Sequence, residues 1–187
     1  MHLNLCLCAE LPVIETASRW VVVHHRSESF KSTNTGQLVT RCLPNSQLCQ
    51  YVGRKDAPVP APELGGRDAY LFFPREGAAP VDHEELRGRL DEIVVVVPDG
   101  SWGQARKMAG HHQWMKDLPT VGLPAGAHAR WSLRQETLAG GLTTADAVAW
   151  LLGSLEGSDK GDALEHILRV MVERTKSTRG GPTAPPI

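Results

Sequence analysis

Three short apolar runs, rich in β-branched residues, predict buried β-strands in the first half of the chain. They are RWVVVHH (19–25), AYLFFP (69–74) and EIVVVVP (92–98). Runs in which apolar and polar positions do not alternate are typical of strands covered on both faces, as in parallel sheets. Weaker runs at VGLP (121–124) and HARWSLR (128–134) predict further short strands.

Segments with helical spacing lie between and after these runs. They are NTGQLVTRCL (34–43), DHEELRGRLD (82–91) and GQARKMAGHHQW (103–114). Two further amphipathic helices are predicted near the end of the chain, the first starting at a capping box formed by Thr143 and Asp146. Strands that alternate with helices indicate an α/β fold with a mostly parallel sheet flanked by helices.

Composition is that of an ordinary globular domain. Of the 187 residues, 41% are hydrophobic and 22% are charged, and no apolar run approaches the roughly 20 residues that span a bilayer. We expect a single domain over residues 1–177 and a disordered Pro/Gly-rich tail at 178–187. The start of the chain lacks the pattern of a signal peptide, and cysteines spaced as C-x-C indicate thiols, so a cytoplasmic location is expected.

Charge is balanced overall but unevenly distributed. The net charge is −1, which by itself argues mildly against an RNA-binding protein. Residues 57–100 hold four basic and nine acidic residues, whereas residues 1–56 hold six basic and four acidic ones. A local basic surface is therefore compatible with the composition.

The stretch VVVVPDGSW (94–102) joins the strongest predicted strand to a predicted helix. Ligands of parallel α/β folds bind beyond the carboxyl ends of the strands, which is where Asp99 falls. Gly100 allows a sharp turn, Ser101 can cap the next helix, and Trp102 can wall a pocket or stack on a base. Taken alone, such residues are more often a turn carboxylate and a core tryptophan.

Further motifs occur in a fixed order along the chain. They are CLCAELP (6–12), HHRSE (24–28), NTG (34–36), LPN (43–45), LFFP (71–74), LP (118–119), Arg134 and TTADA (143–147). Each motif is weak alone. Together with DGSWGQARKM they resemble, over about residues 6–175, the DTW-domain family of tRNA-uridine aminocarboxypropyltransferases, which is named after its D-x-T-W stretch.

The resemblance implies a fold similar to the knotted α/β domains of SPOUT-type RNA-modifying enzymes, with a knot in the C-terminal part. It also implies that S-adenosylmethionine (SAM) binds in loops at the carboxyl edge of the sheet. The implied reaction moves the 3-amino-3-carboxypropyl group of SAM to N3 of a uridine in tRNA and releases 5′-methylthioadenosine. Two alternatives remain open: a SPOUT-like RNA methyltransferase, and a catalytically silent RNA-binding domain.

The chain departs from the family pattern at several positions. Ser101 replaces the threonine of D-x-T-W but keeps a hydroxyl, and Asp146 replaces the glutamate of S-T-x-E-A. His24-His25 stands where the family has a histidine–proline pair. The family also shows a C-x-x-C ahead of its C-x-C, which this chain begins too late to carry, so no metal is expected.

Three sets of residues are predicted for the site. Asp99 is the predicted catalytic residue, because a carboxylate near N3 of uridine can accept or orient its proton. The SAM-binding set lies at strand and helix ends: Phe73, Pro74, Gly100, Ser101, Trp102, Thr143, Thr144 and Ala145. The RNA-binding set consists of basic residues and a histidine: His24, Arg26, Lys31, Arg41, Arg106, Lys107 and Arg134. We expect the basic residues near NTG and after Trp102 to share the face of Asp99, and the acid-rich stretch 76–92 to lie away from it.

Overall fold

The computed structural model describes residues 6–31, 33–51, 63–75, 77–128 and 142–178. Within these ranges the chain forms an α/β structure around a four-stranded sheet, in which all neighbouring strands pair in parallel. No helix in the same ranges is long and apolar enough to cross a membrane. The predicted fold class, a mostly parallel sheet with flanking helices, is confirmed.

The sheet has the strand order β2-β1-β4-β3. Its strands are β1 (Arg19–His25), β2 (Ser46–Tyr51), β3 (Asp68–Leu71) and β4 (Ile93–Asp99). The central strands β1 and β4 carry the valine runs, and all seven residues of β4 are buried. Burial on both faces explains why these strands show no alternation of apolar and polar residues.

Helices cover both faces of the sheet. They are α1 (Thr35–Cys42), α2 (His83–Arg87), α3 (Trp102–His111), α4 (Gln113–Lys116), α5 (Thr144–Glu156) and α6 (Ser158–Thr178). One core lies between α1, α2, α5 and α6 and the sheet face that carries Val22 and Val95. A second, smaller core lies between α3 and α4 and the opposite face, which carries Val23 and Val96.

The strand predicted over 69–74 is shorter in the structure and ends at Leu71. In addition to its pairing with β4, Leu71 forms two backbone hydrogen bonds with residues 119–121. The Leu71 amide donates to the Pro119 carbonyl (2.8 Å), and the Leu71 carbonyl accepts from the Val121 amide (3.0 Å). The run predicted as a strand at 121–124 therefore contributes only isolated bridges. Of the other weak candidate, HARWSLR, residues 129–134 lie outside the described ranges.

Other boundaries differ from the sequence predictions for local reasons. β2 was not predicted because it is an edge strand whose first five residues are only partly buried or exposed. The helix predicted over 82–91 is limited to α2, and a 3-10 turn follows at Leu90–Glu92. The helix predicted over 103–114 is divided at His112, which has an extended backbone, into α3 and α4.

The C-terminal helices agree with their predicted spacing. The capping box at the start of α5 is present, with Thr143 and Asp146 bonded reciprocally. The helix α6 includes Thr178, which the sequence prediction assigned to the disordered tail, and residues 179–187 lie outside the described ranges. The predicted knot depends on the course of 129–141, which is also outside those ranges, so the knot stays a prediction.

Three helices begin at the same edge of the sheet. β1 and β4 end together, with His24 paired to Asp99, and α1 and α3 start in the segments that follow these two strands. α5 also starts there and runs toward the opposite edge, where Glu156 accepts hydrogen bonds from the amides of Ala17 and Ser18. The carboxyl edge thus gathers the N-termini of α1, α3 and α5.

Candidate active site

The centre of the site is a pair of side chains on adjacent strands. His24 is the sixth residue of β1 and Asp99 is the last residue of β4, and the parallel register places them side by side. The Nδ1 atom of His24 lies 2.7 Å from Oδ2 of Asp99. Both residues are almost fully buried, with exposed fractions of 1% and 3%.

Two helix N-termini supply the remaining partners of this carboxylate. Asn34 caps α1 by accepting a hydrogen bond from the Gln37 amide (2.7 Å), which turns its Nδ2 toward Asp99 Oδ2 (2.9 Å). Thr144, the first residue of α5, donates its hydroxyl to Asp99 Oδ1 (2.6 Å). Both carboxylate oxygens are therefore occupied, and Asp99 ties the start of α1 and the start of α5 to the end of β4.

These contacts keep the Asp99 carboxyl group ionised at neutral pH. Burial is the largest influence and raises its pKa. The hydrogen bonds from His24, Thr144 and Asn34 together outweigh burial, so the pKa of Asp99 lies below its usual value of 3.8. The positive ends of two helix dipoles favour the same charged state.

Gly36 leaves the space that this carboxylate occupies. A Cβ atom at position 36 would lie 2.5 Å from both Cγ and Oδ2 of Asp99 and 2.8 Å from Oδ1. Only hydrogen fits there, because real Cβ atoms do not approach other heavy atoms so closely. The glycine of the NTG motif is therefore explained by the position of Asp99 rather than by a special backbone conformation.

We expect Gly36→Ala to shift the Asp99 carboxylate and disturb the site. Overpacking of this kind costs about 1–3 kcal/mol of folding free energy. Chemical denaturation measures that loss, and ligand binding measures the disturbance. Gly110→Ala is the matched control, because no heavy atom lies within 4 Å of a Cβ at that exposed helical position. Equal stability of the two variants would contradict the close packing at Gly36.

The outer rim of the site is formed by the first turn of α3. Ser101 caps this helix in a capping box with Gln104. The Gln104 side chain also donates to Ser27 Oγ (2.9 Å), which links α3 to the turn that follows β1. Trp102 is 51% exposed, and its ring lies 5.6 Å from that of Phe73 at an interplanar angle of 50°. The rim thus presents a half-exposed aromatic face beside the buried Asp99.

Comparison with known proteins identifies the family. Residues 1–176 match the family model described as the DTW domain. The chain belongs to the DTW-domain family. The match spans the sheet, the helices and the buried cluster around Asp99.

Two curated relatives carry names that state an activity. The chain is 23% identical over 159 residues to tRNA-uridine aminocarboxypropyltransferase 2 of Macaca fascicularis, which covers 82% of this chain and 53% of the relative. It is 26% identical over 200 residues to tRNA-uridine aminocarboxypropyltransferase A of Arabidopsis thaliana, covering 90% of this chain and 75% of the relative. This DTW-domain chain therefore spans about half the length of the first relative. No solved structure matches it.

The structure distributes the predicted SAM-binding residues of this DTW domain over both sides of the carboxyl edge. Phe73 and Trp102 pack together on the rim, whereas Thr144 contacts Asp99 directly. The others fall at the chain turns and helix starts nearby: Pro74, Gly100, Ser101, Thr143 and Ala145. Ala145 is fully buried and exposes no surface to a ligand.

The predicted RNA-binding residues are not all brought together. Arg26 directly follows β1 at the carboxyl edge, whereas Arg106 and Lys107 are the fifth and sixth residues of α3, and all three are exposed. Lys31 pairs with Glu28 (Nζ to Oε1, 2.6 Å). His24 is buried beside Asp99 and bonded to it through Nδ1, so it does not join the exposed basic residues.

Arg41 requires a correction to the expected basic face. The helix α1 starts at Asp99 but runs antiparallel to the strands, and the chain enters β2 immediately afterwards at the amino edge, where Trp20 pairs with Ser46. Arg41, in the last turn of α1, therefore lies at the far end of that helix. Arg134 lies outside the described residues.

The partners of Asp99 were not foreseen in their present roles. The sequence analysis gave Asn34 no role of its own and predicted His24 as an RNA contact, whereas both residues are hydrogen-bonded to one carboxylate. A signal existed in the strand register, because residues at the ends of adjacent parallel strands meet. This register could predict the contact between His24 and Asp99 only once β1 and β4 were known to be neighbouring strands.

No group of three or more His, Cys, Asp and Glu side chains that could hold a metal occurs in the described part of the chain. Cys6 and Cys8 are exposed, whereas burial raises the pKa of the Cys42 thiol to about 11. A thiol with so high a pKa is protonated at neutral pH and is a poor nucleophile.

Proposed function

We propose that this chain transfers the 3-amino-3-carboxypropyl group of SAM to N3 of a uridine in tRNA and releases 5′-methylthioadenosine. The observation that carries the proposal is the buried, ionised Asp99 at the carboxyl edge of a parallel sheet, bound by residues from the HH, NTG and TTADA motifs. The names of the two relatives support the same activity.

The donor is proposed to lie between the rim and the start of α5. An α-amino acid carboxylate is favoured at a helix N-terminus, where backbone N–H groups have no partner within the helix. At the N-terminus of α5 the Thr143 amide is bonded to Asp146 and Ala145 is fully buried, so Thr144 is the residue proposed to offer its amide there. Phe73, Pro74 and the Gly100–Trp102 turn provide the opposite wall, and a knotted SPOUT-like course of the chain is part of the same proposal.

The chemistry requires a base and good alignment rather than a protein nucleophile. The sulfonium of SAM is already a good leaving group, and N3 must approach the γ carbon of its side chain in line with the sulfur. Uridine N3 is a poor nucleophile while it carries its proton. Asp99 is proposed to assist this proton transfer, because its negative charge stabilises the proton on the group that takes it up, and its hydrogen bonds keep that charge in place.

The proposal is tested by incubating the full chain with unmodified tRNA and SAM that is labelled in its carboxyl carbon. We expect the label to enter RNA, the modified nucleoside to carry the mass of an aminocarboxypropyl group, and methylthioadenosine to appear in equal amount. A methyl adduct would instead identify an RNA methyltransferase. Bound tRNA with no adduct would identify a silent RNA-binding domain, and either result would overturn the proposal.

Trp102 provides a separate prediction for the rim. We expect Trp102→Ala to lower activity per folded molecule about tenfold or more, because base–aromatic stacking contributes about 1–3 kcal/mol. Trp102→Phe, which keeps an aromatic face, should retain most of the activity. Separate titrations with SAM and with tRNA identify the ring that stacks on Trp102. Full activity per folded molecule in the alanine variant would mean that Trp102 only packs against Phe73.

A further inference from the structure

One nitrogen of the His24 ring is buried without a hydrogen-bond partner. Within the described residues the same holds for three other buried side-chain atoms, which are Trp20 Nε1, His112 Nε2 and Trp114 Nε1. Only the His24 ring is also hydrogen-bonded to the Asp99 carboxylate. An unsatisfied polar atom in a folded protein calls for an explanation, and a catalytic role is one of the recognised explanations.

The ionised partner determines the tautomer of this ring. Asp99 is a carboxylate and can only accept a hydrogen bond, so Nδ1 of His24 must carry the proton. In a neutral imidazole the other nitrogen, Nε2, is then an acceptor with a free lone pair. The site therefore contains a buried, correctly oriented proton acceptor that no protein donor uses.

We propose that Nε2 of His24 takes the N3 proton of the target uridine and that Asp99 is the positioning residue that holds this ring. The inference rests on the proposed function. Asp99 itself is a weak base, because the hydrogen bonds from His24, Thr144 and Asn34 outweigh burial and hold its pKa below the usual value. The arrangement parallels other carboxylate–histidine pairs, in which the carboxylate orients the imidazole and stabilises the imidazolium that forms.

The step balances as a displacement coupled to one proton transfer. The N3–H bond breaks and its proton moves to Nε2 of His24. The electron pair left on N3 forms a bond to the γ carbon of the aminocarboxypropyl group. The bond between that carbon and the sulfonium breaks, its electron pair stays on sulfur, and neutral methylthioadenosine leaves. The imidazolium then returns its proton to solvent after the products leave.

His25, the neighbouring histidine, is a poorer candidate for this role. Its Nδ1 already contacts Ser27, at 2.8 Å from the hydroxyl and 3.2 Å from the amide. It is also partly exposed, and it does not contact Asp99. The other titratable groups around the site are Glu28 and Lys31, which pair with each other, and Asp146, which is bonded to Thr143.

Two substitutions separate the functions of the two ring nitrogens. His24→Asn places an amide N–H near the position of Nδ1, so it keeps the bond to Asp99 but removes Nε2. His24→Gln places an amide near Nε2 that cannot take up a proton. His166→Asn is the matched control, because His166 is exposed on α6 and contacts Arg169 there.

We expect His24→Asn to keep SAM and tRNA affinity within a few-fold and to lower single-turnover rates at least about 100-fold at neutral pH. The deficit should shrink as the pH rises, because uridine N3 then ionises without a base. His24→Gln should show the same recovery in alkali, and His166→Asn should behave as wild type. The recovery is a signature that a merely structural role of His24 does not produce.

Three results would overturn the inference. Near-wild-type rates in folded His24→Asn would show that Nε2 is not needed. A deficit that stays constant with pH in both variants would assign His24 a structural role only. Absence of any aminocarboxypropyl product with the wild-type chain would remove the proposed function together with the inference, whereas the first two results leave that function intact.

Discussion

Replacing Asp99 by Asn is expected to lower turnover by at least about 100-fold while leaving SAM affinity within a few-fold. The amide has nearly the same shape as the carboxylate, so it still fits between Gly36 and the starts of α1 and α5. It lacks the charge that holds the His24 ring and stabilises a proton taken up by that ring. Single-turnover kinetics and equilibrium SAM binding measure the two effects separately.

The pH dependence of stability gives a second readout of the same substitution. The pKa of Asp99 in the folded chain lies below its usual value of 3.8. The ionised carboxylate therefore stabilises the folded chain fully at pH values above 3.8. The stabilisation is lost as the pH falls through the lowered pKa of the folded state. Asp99→Asn should remove this part of the acid sensitivity. Nearly full activity of the variant would exclude a role for the charge of Asp99 in turnover.

Charge reversal on α3 is expected to weaken tRNA binding strongly and to spare SAM binding. Arg106 and Lys107 are exposed and lie within two turns of Trp102 on α3, the helix that starts at the carboxyl edge. Each phosphate contact releases counterions, so the double variant R106E/K107E should bind tRNA at least about tenfold more weakly and show a flatter salt dependence. Titrations at two salt concentrations measure both changes.

The structure provides a matched control for this experiment. Arg41→Glu changes the charge by the same amount as Arg106→Glu, but Arg41 lies at the far end of α1. The acid-rich α2 also packs away from the site, with His83 Nδ1 2.8 Å from Ser154 Oγ near the end of α5. Equal losses of tRNA affinity in the two single variants, or unchanged affinity in R106E/K107E, would refute docking at the carboxyl edge.

The elements that sequence reasoning predicted well are those with a strong local signal. The valine runs of β1 and β4 are apolar at successive positions because helices cover both faces of the sheet. This pattern can be recognised from the sequence of each strand alone. The capping box at Thr143 is equally local. β2 has no such signal, because an edge strand buries little and its sequence, SQLCQY, resembles a loop.

The site was predicted in outline but not in its connections. The position of Asp99 at a strand end followed from the sequence, since a turn with glycine comes directly after an apolar run. Its burial and its partners depend on the strand order, which brings β1 beside β4 although about 70 residues separate them. The same topology moves Arg41 away from the basic residues with which it was grouped.

The sequence by itself determined the class of fold, the family and the position of Asp99 at the end of a buried strand. These follow from properties carried within short segments: hydrophobic runs, helix caps, and motifs in a fixed order. Only the tertiary structure decided that His24, Asn34 and Thr144 converge on Asp99 and that Gly36 must leave room for the Asp99 carboxylate. Hydrogen bonds between residues 45 to 75 positions apart arise from strand pairing and helix packing, which no local pattern encodes.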